Sequence, residues 1–127
     1  MSGNNGERPS VLVVDDELAF RFLVREYLDM IDVIAVEAEN GAEALDKLKQ
    51  SNVRAIVADI MMPVMSGFEM LERVKSNERT RALPVIMVTA NSASEMRDRS
   101  YQLGASSFFV KPLPLDEFLS EIRRCLH

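Results

Sequence analysis

The chain has one cysteine, Cys125, which excludes an intramolecular disulfide framework and argues against a cysteine-ligated zinc site. Cys125 falls at helical spacing among apolar residues, where a small buried or half-buried thiol is expected. Five prolines and five glycines in 127 residues are too few for a low-complexity or collagen-like chain. Long hydrophobic runs are missing as well. The longest are Val11 to Val14 and Pro84 to Val88, far short of the roughly 20 apolar residues of a membrane span. The opening segment, MSGNNGERPS, lacks the basic and apolar regions of a secretion signal. Nor is there a basic excess: 15 Lys and Arg against 20 Asp and Glu leave a net charge of −5, which argues against direct nucleic-acid binding by this chain. What is present is ordinary globular composition, 47% hydrophobic and 28% charged, at the length of one domain. The expectations are a flexible polar tail over residues 1–10, one folded domain over 11–127, and a reduced, cytoplasmic setting.

The hydrophobic period then alternates. Val11 to Val14 is a short continuous apolar run, as in a strand buried on both faces. Phe20, Leu23, Val24, Tyr27, Leu28 and Ile31 recur at steps of three and four, one face of an amphipathic helix. Short runs follow at Val33 to Val36, Ala55 to Ala58, Val85 to Val88 and Ser107 to Val110. Helical stripes lie between and after them, at Ala44, Leu45 and Leu48; at Phe68, Leu71 and Val74; at Met96, Ser100 and Leu103; and at Leu115, Phe118, Leu119, Ile122 and Leu126. The fourth stripe is thin. Five strand-helix units in succession imply a parallel sheet covered on both faces, with right-handed crossovers.

In an open parallel α/β sheet, ligands bind beyond the carboxyl ends of the strands. Asp15, Asp16 and Glu17 follow the first strand, Asp59 the third, Thr89 and Ala90 the fourth, and Lys111 the fifth. Taken singly, each has an ordinary reading: Asp16 as a helix cap, Asp59 as a turn residue, Thr89 as strand content, Lys111 as a surface lysine. Together, acid, acid, hydroxyl and lysine at four of five strand ends point to one site. Three carboxylates in a crevice repel and raise their proton affinity unless compensated. One lysine and one divalent cation would balance them. Oxygen donors with incomplete protein coordination suit Mg²⁺, which keeps waters and meets phosphoryl groups. An Asp carboxylate can attack phosphorus, while Lys and Mg²⁺ neutralise the phosphoryl oxygens. In the order 2-1-3-4-5, with neighbouring strands about 4.8 Å apart, Asp59 is the central carboxylate, and Lys111, about 10 Å away at the backbone, reaches it through a long side chain.

Four segments resemble a response-regulator receiver domain: VLVVDDE (Val11 to Glu17), ADIMMPVMSGFEML (Ala58 to Leu71), PVIMVTA (Pro84 to Ala90) and GASSFFVKP (Gly104 to Pro112). The resemblance covers about Val11 to Leu126. It implies a flavodoxin-like (βα)5 doubly wound sandwich with sheet order 2-1-3-4-5. It implies that Asp59 is the phosphoacceptor, served by a sensor histidine kinase or a phosphotransfer protein. Mg²⁺ or Mn²⁺ would be held by Asp15, Asp16, Asp59 and the backbone carbonyl of Met61. Thr89 and Lys111 would contact the phosphoryl group, and Lys111-Pro112 would be a cis peptide. Gly67 would sit where a Cβ is unwelcome.

The resemblance also implies a switch. Thr89 moves inward on phosphorylation and Phe108 follows; the simpler reading is that Phe108 and Phe109 are alternating strand residues. The output surface would be the fourth helix, fifth strand and fifth helix, which also offers a phosphorylation-dependent dimer interface. Met61 and Asn91 would tune phosphoryl lifetime, and Met61, unable to orient water, implies slow self-hydrolysis. Such a chain is a phosphoacceptor rather than an enzyme acting on other molecules. Two other classes compete: a phosphorylation-independent binding module, which usually lacks a site residue, and a flavin protein or phosphohydrolase. Asp15-Asp16-Glu17 disfavours a flavin phosphate loop, and no insertion forms a substrate cap. The chain is expected to act by docking on a downstream protein, as chemotaxis-type regulators do, or through an output domain outside it. Neither nucleic acid nor membrane is an expected direct partner.

Overall fold

The structure, a computed structural model, describes residues 8–127. Most of the expected tail therefore lies outside the described residues. Elements alternate without exception: β1 (Ser10–Val14), α1 (Leu18–Asp29), β2 (Ile34–Ala38), α2 (Gly41–Gln50), β3 (Ile56–Asp59), α3 (Gly67–Ser76), β4 (Val85–Thr89), α4 (Ser94–Gln102), β5 (Ser107–Val110) and α5 (Leu115–Leu126). The strands form one parallel sheet in the order β2-β1-β3-β4-β5. This is the expected doubly wound order.

Side-chain alternation along each strand divides the core in two. Val11 and Val13 of β1, Val57 of β3 and Ile86 and Val88 of β4 face α1 and α5, where they meet Phe20, Val24, Leu28, Phe118 and Ile122. Leu12, Val14, Ile56, Ala58, Val85 and Met87 face the other way, against Ala44, Met70, Leu71 and Val74. The central strands are buried on both sides, which is why they read as continuous apolar runs. β2 is an edge strand, and its first residue Ile34 is exposed. It continues past the apolar run Val33 to Val36 and ends at Ala38, where its pairing with β1 ends at Val14–Ala38.

Local chemistry sets the helix starts. Asn40 caps α2 by accepting from the Glu43 N–H at 2.9 Å, and Ser66 caps α3 by accepting from the Glu69 N–H at 3.2 Å. α4 is attached differently. Its one buried residue is Ser100, with Met96 and Leu103 packed half-buried against the second core. No helix among the described residues is long and apolar enough to cross a membrane.

Candidate functional site

Sheet register brings the chemical residues to one edge. Val14 pairs with Ala58, Asp59 with Val88, and Thr89 with Val110. Asp15 and Lys111 each stand one residue past such a pair. Asp15 is fully buried, Asp59 is 6% exposed, and Asp16 is exposed. Carboxylate oxygens of the three lie within 4.8 Å of one another. The alternative role of Asp16 as a helix cap is not taken: the N-cap of α1 is Glu17, and no side chain caps it.

Lys111 answers this negative charge. Its Nζ is 2.9 Å from Asp15 Oδ2, 3.3 Å from Glu17 Oε1 and 3.5 Å from Asp59 Oδ2. It also lies 4.1 Å from the centre of the Phe20 ring, a cation–π contact. Burial alone would lower the ammonium pKa. The hydrogen bond to Asp15 and the charges of Asp59 and Asp15 outweigh it and hold Lys111 above its ordinary value. Lys111-Pro112 is cis.

Asp59 is the perturbed carboxyl of the site. Burial first, and then the charge of Asp15, push its pKa up from 3.8 to about 6, against the opposing pull of Lys111 and the Met61 N–H. That N–H donates to Asp59 Oδ1 at 3.2 Å. The loop after β3 folds tightly onto the acid: Gly67 donates its N–H to the Ile60 carbonyl at 2.8 Å. A Cβ on Gly67 would meet the Asp59 carbonyl oxygen at 2.2 Å and Ile60 Cα at 2.8 Å. Glycine is therefore required by close approach. In the same loop Val64 takes a left-handed φ of 69°, unfavourable for a β-branched residue, and is 81% exposed.

On the far side, Thr89 is buried, and its hydroxyl accepts from the Asn91 N–H at 3.2 Å. Asn91 Oδ1 in turn accepts from the Ala93 N–H at 2.9 Å, ahead of α4. A crevice of hard oxygen donors with a buried acid, a lysine and a hydroxyl at parallel strand ends has the chemistry to hold a divalent cation beside a phosphoryl group.

The family model for the response regulator receiver domain matches residues 11–123. The chain belongs to that family. It is a receiver domain of two-component signalling. ResD, a transcriptional regulatory protein of Bacillus subtilis, is 34% identical to it over 116 residues, which are 91% of this chain and 47% of ResD. The probable transcriptional regulator ycf29 of Pyropia yezoensis is 32% identical over 116 residues, 91% of this chain and 52% of that protein. The chain thus spans about half the length of these curated relatives. Among solved structures, the chemotaxis response regulator CheY4 of Vibrio cholerae superposes with a TM-score of 0.84 at 30% identity, covering 93% of this chain and 98% of CheY4.

Within this receiver, Phe108 and Phe109 are both half-buried on opposite faces of β5: Phe108 against the core under α2 and α3, Phe109 against Phe118 of α5. Met61, whose carbonyl was the expected fourth oxygen donor, has an exposed side chain. One residue of the site went unread in the sequence. Arg21 of α1 is buried, donating from Nη1 to the Asp15 carbonyl at 2.6 Å and from Nε to Glu37 Oε1 at 3.0 Å. Its signal was present: an arginine between Phe20 and Val24, on the apolar stripe rather than opposite it.

Proposed function

We propose that this receiver accepts a phosphoryl group on Asp59 from a sensor histidine kinase or a phosphotransfer protein. The observation that carries the reading is the crevice itself: Asp59, nearly buried, gathered with Asp15 and Asp16 within 4.8 Å and facing Lys111 Nζ at 3.5 Å. The donor set, three carboxylates and the nearby Met61 carbonyl, is hard and oxygen-only, which fits Mg²⁺ or Mn²⁺. When bound there, the cation supplies charge neutralisation for phosphoryl oxygens and leaves coordination positions for water.

The chain's own residues do the rest. The Asp59 carboxylate forms the new O–P bond while the bond from phosphorus to the donor breaks, and the donor leaves with that electron pair. Met61 N–H steadies Asp59 Oδ1. Lys111, already pinned between Asp15, Glu17 and Asp59, exchanges a carboxylate partner for a phosphoryl oxygen without crossing the crevice. Thr89 accepts from the Asn91 N–H and keeps its own O–H to donate to the phosphoryl group. Turning that hydroxyl inward alters the Thr89–Asn91 contact at the root of α4, and half-buried Phe108 follows. The changed α4-β5-α5 surface is read by a downstream protein, by an output domain or by a second copy as a dimer. The domain catalyses only its own phosphorylation and dephosphorylation, in the cytoplasm, and touches neither nucleic acid nor membrane itself.

Phosphoryl lifetime is assigned to Met61 and Asn91. The Met61 thioether cannot orient an attacking water, and the Asn91 carboxamide oxygen is already engaged by Ala93. Self-hydrolysis is therefore slow, and Met61→Asn should shorten the lifetime severalfold in a phosphoryl-decay assay. The primary test is incubation with acetyl phosphate and Mg²⁺, read by intact mass. One adduct, abolished by Asp59→Asn and by chelation, is expected. A folded wild type that takes no adduct would leave only a binding module.

A further inference from the structure

We propose that Arg21 is a positioning residue that sets the geometry of the two acids after β1. The inference rests on the reading of the crevice as a divalent-cation site. The peptide group joining Asp15 to Asp16 is the one Arg21 grips, through its carbonyl oxygen at 2.6 Å. That carbonyl lies beyond the last β1–β2 pair, Val14–Ala38. The plane of that peptide group contains the Cα atoms of both acids, so holding it anchors the points from which both side chains leave the backbone.

The two acids depend on that grip unequally. Asp15 is held at every other polar group as well. Its N–H donates to the Ala38 carbonyl at 3.1 Å, Oδ1 accepts from the Glu17 N–H at 2.8 Å, and Oδ2 accepts from Lys111 at 2.9 Å. Asp16 is exposed, and its side chain has no hydrogen bond among the described residues. Its place beside Asp15 and Asp59 is set through the backbone.

Arg21 itself is fixed from the far side. A buried guanidinium is costly unless paired, and Glu37 of β2 supplies the pair at 3.0 Å with a side chain 27% exposed. Glu37 is positioned in turn by Arg25 at 3.4 Å on its second oxygen and by Lys47, which donates to its backbone carbonyl. A chain of contacts therefore runs from α2 through β2 and α1 to the acidic crevice. The planar, forked guanidinium suits this role, presenting Nη1 to a carbonyl and Nε to a carboxylate at a fixed angle, which a lysine cannot reproduce. Groups that orient metal ligands typically change metal affinity by about 10–100-fold when removed.

The test titrates Mg²⁺ alone into the full chain by calorimetry, alongside urea unfolding in chelator. Arg21→Met should weaken Mg²⁺ binding about tenfold or more. Arg21→Lys should recover part of the loss, and Glu37→Gln should show a smaller loss in the same direction. Arg25→Met, which removes only the outer ion pair, should stay within twofold. With acetyl phosphate, Arg21→Met should raise the Mg²⁺ concentration giving half-maximal rate while leaving the plateau rate within about twofold. Unchanged Mg²⁺ affinity in folded Arg21→Met, with only a lower unfolding midpoint, would overturn the proposal in favour of a packing role. Should Arg21→Met not fold, unchanged affinity in both Arg21→Lys and Glu37→Gln would overturn it equally. A wild type that binds no Mg²⁺ would remove the parent reading and this one with it.

Discussion

β5 lies between two helices of similar length that are held in opposite ways. On one side α5 buries Phe118, Leu119 and Ile122. The Phe118 ring meets Phe109 at 6.1 Å and Tyr27 at 6.2 Å between centroids, and Glu121 accepts from the Ser107 hydroxyl on β5. On the other side α4 buries only Ser100, whose hydroxyl turns back to the Met96 carbonyl at 2.7 Å instead of reaching a neighbour. A surface cation–π contact, Arg99 over Phe68 at 5.3 Å, adds a tether to α3. Burial of apolar surface is the main source of local stability, so the two sides should open at very different free energies. On the proposed reading, a signal entering between them at Thr89 would meet a firm wall and a loose one, and would move the loose one, α4, which Asn91 and Ala93 connect to Thr89.

The contrast can be broken most forcefully in the firm helix. Phe118→Ala should cost about 3–5 kcal/mol in urea unfolding, the usual range for emptying a buried aromatic site. A loss below about 1 kcal/mol would mean that α5 is no better anchored than α4.

The next effect comes from charge rather than packing. Asp59 has a folded pKa of about 6 against an ordinary 3.8, so the folded state binds the proton more tightly than the unfolded state does. The contribution of Asp59 to stability is full below about pH 4, falls as pH rises through about 6, and is lost above it. Asp59→Asn should therefore stabilise the metal-free protein by about 2 kcal/mol at pH 7.5 and by almost nothing at pH 4. Unfolding at both pH values in chelator checks the sign. A gain that is equal at both would assign the effect to packing.

Smaller effects sharpen the contrast on the loose side. Arg99→Gln should cost about 0.5–1 kcal/mol, as expected for an exposed cation–π contact. Its mark should be faster amide hydrogen exchange confined to α4, with α5 unchanged. Smallest of all, Tyr101→Ala, half-exposed on α4, should stay within about 0.5 kcal/mol of wild type. A larger loss would show a buried contact on α4 where Ser100 is the one buried residue.

Much of this was legible in the residues, for identifiable reasons. Apolar runs and helical stripes alternate because central parallel strands are buried on both faces, and the chemical residues stand at strand ends because that edge is where the sheet leaves room. The thin stripe on α4 reads directly as thin burial. Other features escaped. The partners of Glu37 did not show in the residues: a glutamate in an edge strand reads as a solvated side chain, yet Arg21 and Arg25 pair with it. Arg21 escaped for the complementary reason: a charged residue in a helix is ordinarily taken to face solvent, and only its partners, 6 and 16 residues away in sequence, show otherwise. Alternation placed Phe108 and Phe109 on opposite faces, but a two-residue period cannot say how deeply either is buried. Both are half-buried.

The bond between Lys111 and Asp15 spans 96 residues, most of the chain. The two groups stand at the ends of β1 and β5, which meet only through the pairing of β1 with β3, of β3 with β4 and of β4 with β5. The crevice is thus assembled from parts that meet only when the whole sheet is in register. A nascent chain that has reached Asp59 already carries Asp15 and Asp16 but not Lys111, so the crevice is incomplete until the fifth strand has been made. If Asp59 takes the phosphoryl group as proposed, its acquisition would serve as a readout of complete folding, and a chain cut anywhere between Asp15 and Lys111 should take it up only if its pieces reassociate into the five-stranded sheet.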